Sequence, residues 1–132
     1  MPEIQRFSHA SFSLRDLTVS TSWYCDVLRF AVLKEMAGPH CKETVLVHPG
    51  GVVLSLQQHV ANRGESLDPV RTGIDHLAVL VPGSEGLDAW DDELTPLEVE
   101  HSAPVERHYG TVLSLKDPDR IALELFWRDG HP

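Results

Sequence analysis

The chain carries one pattern twice, with a histidine at the matching point of each copy. His9 stands in Phe7-Ser-His-Ala-Ser-Phe-Ser-Leu14 and His76 in Ile74-Asp-His-Leu-Ala-Val-Leu-Val81, an offset of 67 residues (76 − 9). The same offset carries Trp23 to Trp90 and Thr44-Val-Leu46 to Thr111-Val-Leu113. Past that triplet the second copy reads as two residues longer, so His48-Pro49 matches Asp117-Pro118, and Val52 to Leu56 matches Ile121 to Leu125, at an offset of 69 (118 − 49). A duplicated unit restricts the fold more than any single motif does. Each copy reads as strand, helix and three strands, and such a unit cannot cover both faces of its sheet alone.

In the first copy, Phe7 to Leu14 alternates as a strand, and Asp16 or Thr18 caps a helix whose inner side holds Val19, Trp23, Val27 and Leu28. Phe30 to Glu35, Thr44 to His48 and Val52 to Gln57 are short strands, punctuated by Gly38-Pro39 and Pro49-Gly-Gly51. In the second copy, Ile74 to Val81 is a buried strand and Ser84 to Leu94 a helix with Leu87, Trp90 and Leu94 inside. Leu97 to Glu100, Thr111 to Lys116 and Ile121 to Trp127 are its remaining strands. The two tryptophans are expected to anchor the core. The expected class is α+β: tandem βαβββ modules forming a curved mixed sheet around a central metal-binding cavity. Module one covers residues 5–60, a polar linker 61–72 and module two 73–128. At 132 residues this makes one domain.

Strand parity puts Phe7, His9, Ser11 and Ser13 on one face, and Ile74, His76, Ala78 and Leu80 on the corresponding one. Glu124 is an isolated carboxylate in Ile-Ala-Leu-Glu-Leu-Phe-Trp, where burial of an unpaired charge is costly. It needs a cation, a hydrogen-bonding partner or an open cavity. Two imidazoles and one carboxylate at equivalent strand positions suit a cation, and three protein ligands leave positions open for water or substrate.

His9, followed by Leu14-Arg-Asp-Leu17 and Ser22-Trp-Tyr-Cys-Asp-Val-Leu28, resembles the opening of vicinal oxygen chelate proteins, and Asp117-Pro-Asp-Arg-Ile-Ala-Leu-Glu124 resembles their ending. That superfamily includes glyoxalase I, extradiol dioxygenases, fosfomycin-resistance transferases, methylmalonyl-CoA epimerase and bleomycin-binding proteins. The resemblance spans roughly residues 5 to 128. It implies that His9, His76 and Glu124 are metal ligands, while the fourth position, a carboxylate in glyoxalase I, falls on Ser55. Serine is a poor ligand and no base near neutral pH, which argues against the glyoxalase I proton shuttle. The epimerase's catalytic glutamate is missing too. What remains resembles the members with a His, His, Glu set: ring-cleaving dioxygenases and transferases acting on epoxides. A departure is Arg29, where glycine is usual.

Fe(II) or Mn(II) is the favoured ion, with Zn or Ni as further candidates. His108 and Tyr109, in a loop that borders the substrate in the family, are candidates for proton transfer or stacking. His59, sharing a face with Ser55 and Gln57, is a third catalytic candidate against the plainer reading of an exposed strand end. His40-Cys41 reads as a loop, and Asp88, Asp91, Asp92 and Glu93 as a solvated helix face. Neither Cys25 nor Cys41 belongs to a Cys-x-x-Cys pair, which favours a reducing, cytoplasmic setting. The net charge of −9 argues against nucleic acid and anionic membranes as partners, and no apolar run is long enough to span a bilayer. The expectation is a homodimeric enzyme acting on a small oxygen-chelating molecule, dioxygenase-like by a narrow preference. The alternatives are a metal-free drug- or metabolite-binding protein like the bleomycin-binding members, and a glyoxalase-like lyase using His59 as substitute base.

Overall fold

The computed structural model describes residues 1–130, which fall into two compact units divided between Glu65 and Ser66. Their boundary lies inside the polar segment 61–72. In the first unit, β1 (Ala10–Ser13) leads to α1 (Leu17–Leu28), then β2 (Ala31–Ala37), β3 (Cys41–Val47) and β4 (Val53–His59). In the second, β5 (His76–Leu80) leads to α2 (Ser84–Leu94), then β6 (Val105–Arg107), β7 (Gly110–Lys116) and β8 (Ala122–Trp127). Each unit is thus one βαβββ module. The sheets have the orders β1-β4-β3-β2 and β5-β8-β7-β6, with the first strand parallel to the last and the other pairs antiparallel.

Helix α1 starts where Asp16 accepts a hydrogen bond from the Val19 amide at 3.0 Å, an N-cap of the ordinary kind. It ends at Arg29, whose φ of 62° is left-handed and whose N–H donates to the Tyr24 carbonyl. Glycine is the usual residue at such a cap, so arginine carries a small backbone cost there. The inner side of α1 differs from the sequence expectation: Ser20, Tyr24, Val27 and Leu28 are buried, Val19 is exposed and Trp23 half-buried. With Leu17 as first helical residue, positions 20, 24, 27 and 28 form the inward stripe. Trp23 instead lies edge-on against Tyr24 at 5.0 Å. Trp90 is likewise half-buried, and Leu87 and Leu94 are the residues of α2 that are fully covered. The anchors are Tyr24 in the first unit and leucines in the second.

Alternation along β3, β4, β7 and β8 divides each sheet into two faces. Leu46, Leu54 and Leu56 are buried on the helix side of the first sheet, and Leu113, Leu115, Leu123 and Leu125 on that of the second. Truncation of one such leucine to alanine typically costs about 2–5 kcal/mol. The opposite faces carry the polar side chains and the candidate site.

Two sequence expectations are corrected by strand pairing. Val45 faces Ser55 and Ser114 faces Glu124, so β3 corresponds to β7 at an offset of 69 (114 − 45), as β4 does to β8 (124 − 55). The two extra residues therefore precede β7 rather than follow Leu113. Thr44 corresponds to Leu113, both buried on the helix side, and the repeated Thr-Val-Leu triplet is a coincidence of spelling. The second correction concerns Leu97 to Glu100, which forms no strand. Pro96 and the left-handed Glu98 (φ 55°) turn the chain there, and β6 forms later, at Val105–Arg107. Cys41, expected in a loop, opens β3, and both cysteines are free thiols.

Candidate functional site

The second unit brings His76 and Glu124 together. Both β5 and β7 flank β8, placing Ala78 and Ser114 on either side of Glu124, and His76 and Lys116 on either side of Ala122. The register of β7 against β8 is set by their turn. There the buried Asp117 carboxylate accepts from the Asp119 amide at 2.9 Å and the Ile121 amide at 2.8 Å, while Arg120 takes the left-handed conformation at φ 63°. A polar turn residue thus fixes which side chains share the open face.

His76 Nε2 lies 3.5 Å from Glu124 Oε2, and His76 Nδ1 lies 2.7 Å from Asp75 Oδ1. The hydrogen bond to Asp75 raises the imidazole pKa above the ordinary histidine value; burial opposes this, and the nearby Glu124 and Asp75 charges add to it. Asp75 also orients the ring: with Nδ1–H donating to its carboxylate, Nε2 is the nitrogen turned toward Glu124. A 3.5 Å separation is long for a hydrogen bond, but it matches two donor atoms each about 2.0–2.2 Å from one shared ion. The donor set fits a divalent cation. Among the described residues, three His, Cys, Asp or Glu side chains do not gather into one metal-holding group. His9 belongs to the first unit, is exposed, precedes β1 rather than lying within it, and has Nδ1 3.1 Å from Ser8 Oγ.

A cavity of about 360 Å³ adjoins the pair, with Ser102, Ser114 and Lys116 among its lining residues. His101 holds its rim. It bridges to β7 at Leu115, its Nδ1 lies 2.6 Å from the Val99 carbonyl, and its Nε2 lies 2.8 Å from Asp91 Oδ1 on α2. Both ring nitrogens therefore face acceptors. Asp91, expected on a purely solvated helix face, is committed to this contact. Next to His101, Ser102 donates its amide to the Ser114 carbonyl and accepts the Ser114 amide on its hydroxyl.

Of the other candidates, His108 and Tyr109 are exposed residues of the β6–β7 turn, with their rings edge-to-face at 5.0 Å. Tyr109 stacks on Phe126 at 6.3 Å, and Phe126 shares the strand face of Glu124. The close approach needs Gly110: a Cβ there would lie 2.6 Å from the Phe126 ring, on a backbone with φ of 147°. His59 ends β4 and is exposed.

Sequence reasoning missed Glu43 and Lys116. Ser55, at the position matching Glu124, is buried and donates to Glu43 Oε1 at 2.5 Å. Ser11 donates to Ser55 at 3.2 Å, and Gln57 Nε2 to Ser11 at 3.0 Å, closing a polar network on the open face of the first sheet. A carboxylate thus stands one strand over from Ser55, on β3. Parity with Ser55 through the Val45 pairing was the signal that could have found it.

Residues 6–125 match the family described as the Glyoxalase/Bleomycin resistance protein/Dioxygenase superfamily. The chain belongs to that superfamily. A glyoxylase/bleomycin resistance protein/dioxygenase domain from Frankia sp. EAN1pec is 30% identical with a TM-score of 0.88, over 94% of this chain and 98% of that one. A glyoxalase family protein from Enterococcus faecalis is 21% identical with a TM-score of 0.75, over 93% and 98%. A single-residue mutant of the fosfomycin resistance protein FosX from Listeria monocytogenes, complexed with Mn(II) and 1S,2S-dihydroxypropylphosphonic acid, is 21% identical with a TM-score of 0.70, over 94% and 90%. At such identities the last two speak for the glyoxalase-superfamily fold alone. No curated protein matches the chain. No helix among the described residues is long and apolar enough to cross a membrane.

Proposed function

We propose that this superfamily member is a metal-dependent enzyme acting on a small molecule that presents two oxygens to the ion. His76, Glu124 and His9 are the proposed ligands. The observation that carries the reading is the His76–Glu124 pair at 3.5 Å, with Asp75 behind the imidazole. Mn(II) or Fe(II) suits this ligand set of two imidazoles and one carboxylate. When bound, such an ion supplies Lewis acidity toward the substrate oxygens.

The residues divide the work. Asp75 keeps Nδ1 of His76 protonated and Nε2 available. Tyr109, stacked on Phe126, gives an aromatic face for the organic part of the substrate. Dioxygenase-like cleavage is the preferred subclass, favoured by a three-ligand set that leaves positions open for substrate and oxygen, and transfer chemistry on epoxides is the second reading.

Elemental analysis of untagged protein, joined to an activity screen, tests this. Near-stoichiometric Mn or Fe that vanishes in His76→Ala is expected, together with catechol turnover that is lost in the same variant. Turnover of an epoxide or hemithioacetal with no catechol cleavage would establish transfer or isomerisation chemistry instead. Absence of metal in wild type and variant alike would leave a sequestering protein.

A further inference from the structure

Six titratable side chains line the cavity beside His76 and Glu124: Asp75, His76, Glu100, His101, Lys116 and Glu124. Five of them are engaged. Asp75 and Glu124 both address His76, at 2.7 Å and 3.5 Å. His101 is held by Asp91 at 2.8 Å, and Glu100 lies 3.5 Å from Arg120 Nη1. Lys116 is different. It is half-buried, and among the described residues it makes no ion pair and no side-chain hydrogen bond.

Its placement gives the ammonium a direction. His76 and Lys116 flank Ala122 from opposite sides, so they belong to one cross-strand row of the same sheet face. Two strand spacings of about 4.8 Å separate their backbones, within reach of a lysine stem laid along the sheet. Ser114, in the neighbouring row, faces Glu124 directly and offers a hydroxyl to the same space. A partly desolvated cation with its neighbouring acids already occupied attracts an anion. The chain as a whole carries a net charge of −9 and repels one, so an anionic ligand needs such a local cation.

We propose that Lys116, assisted by Ser114, selects substrates that carry an oxyanion group, a carboxylate or a phosphate or phosphonate, in addition to the two oxygens addressed to the ion. This rests on the reading of His76 and Glu124 as metal ligands. Lys116 then acts as a specificity residue: it grips the part of the substrate that does not react, and it leaves the ion's own affinity untouched.

The test compares 3,4-dihydroxybenzoate with catechol on the Mn(II)-loaded protein by calorimetry; the two share vicinal hydroxyls and differ by one carboxylate. Wild type is expected to prefer the acid about tenfold, Lys116→Met to lose that preference with Mn(II) and catechol binding unchanged, and Lys116→Arg to keep it. The fold-change corresponds to about 1.4 kcal/mol. Equal binding of the two ligands by wild type, or a preference that survives in Lys116→Met, overturns the proposal. Should Mn(II) fail to load, the metal reading falls, and the anion site is decided on chelator-treated protein. There, inorganic phosphate and acetate are titrated separately against the amide resonances of residues 114–116. Shifts present in wild type and absent in Lys116→Met support the site, and their relative size tells phosphate-type from carboxylate-type ligands. No shift with either anion overturns it.

Discussion

Ser55 and Glu124 occupy the same register position in the two units, each beside the first strand of its module, and they behave in opposite ways. Ser55 turns inward to its own sheet: it donates to Glu43, receives from Ser11 and lies in a network that Gln57 completes. Glu124 has one imidazole beside it at 3.5 Å and an open cavity in front. The same comparison along the third strand sets Glu43, Val45 and Val47 of the first unit against Val112, Ser114 and Lys116 of the second. Duplication therefore preserved the ladder and redistributed the charges. One copy keeps a carboxylate tied to its own sheet by the Ser55 hydroxyl. The other keeps a carboxylate and a histidine held apart, which suits an ion.

The strongest way to break this contrast is to make the second unit resemble the first. Glu124→Ser is expected to lower apparent Mn(II) affinity at least ~100-fold, or about 2.7 kcal/mol, measured by competition with a chromophoric chelator. Retained tight binding would show that the acid of β8 is not a ligand, and the asymmetry between Ser55 and Glu124 would then have no bearing on metal.

The turns before the last strands offer a second contrast. Asp117 secures two amides while itself buried, whereas His48, at the matching place, accepts from the Gly50 amide alone at 3.0 Å in an exposed turn. Asp117→Ala orphans two buried donors and is expected to cost about 2–3 kcal/mol, while His48→Ala costs about 0.5–1 kcal/mol. Urea denaturation of both variants measures the difference. Equal losses would mean that the Asp117 bonds do not set the β7–β8 register, and with it the position of Glu124.

These particulars also show what the sequence made legible. The duplicated histidines, the paired helices and the Asp117-Pro-Asp turn announced two βαβββ modules, because period-two and helical spacing are local signals. Adjacency of His76 to Glu124 followed from strand parity once the modules were recognised. Three things were hidden. The repeat of Thr-Val-Leu pointed to the wrong register, since three letters cannot outweigh the turn that sets strand pairing. Trp23 and Trp90 were placed on the inner sides of their helices by spacing, yet both are half-buried, and in α1 the covered position belongs to Tyr24. Glu43 and Lys116 were passed over because their meaning lies in cross-strand neighbours, which a linear reading does not display. The same holds for His101, whose partner Asp91 is ten residues away on α2.

The smallest expected effect separates the two helices. Asp16 caps α1 through its carboxylate, while Gly83 at the matching end of α2 provides no side-chain cap, and Glu85 in the first turn supplies negative charge instead. Asp16→Ala removes the acceptor of the Val19 amide and should lower stability by about 1 kcal/mol. Hydrogen exchange resolves where that loss falls. The Val19 and Ser20 amides, the latter bonded to the Asp16 carbonyl at 3.1 Å, are expected to exchange faster, while amides in α2 keep their wild-type protection. Equal acceleration in both helices would mean that the two modules unfold as one cooperative body; acceleration confined to α1 would mean that each duplicated unit responds to its own cap.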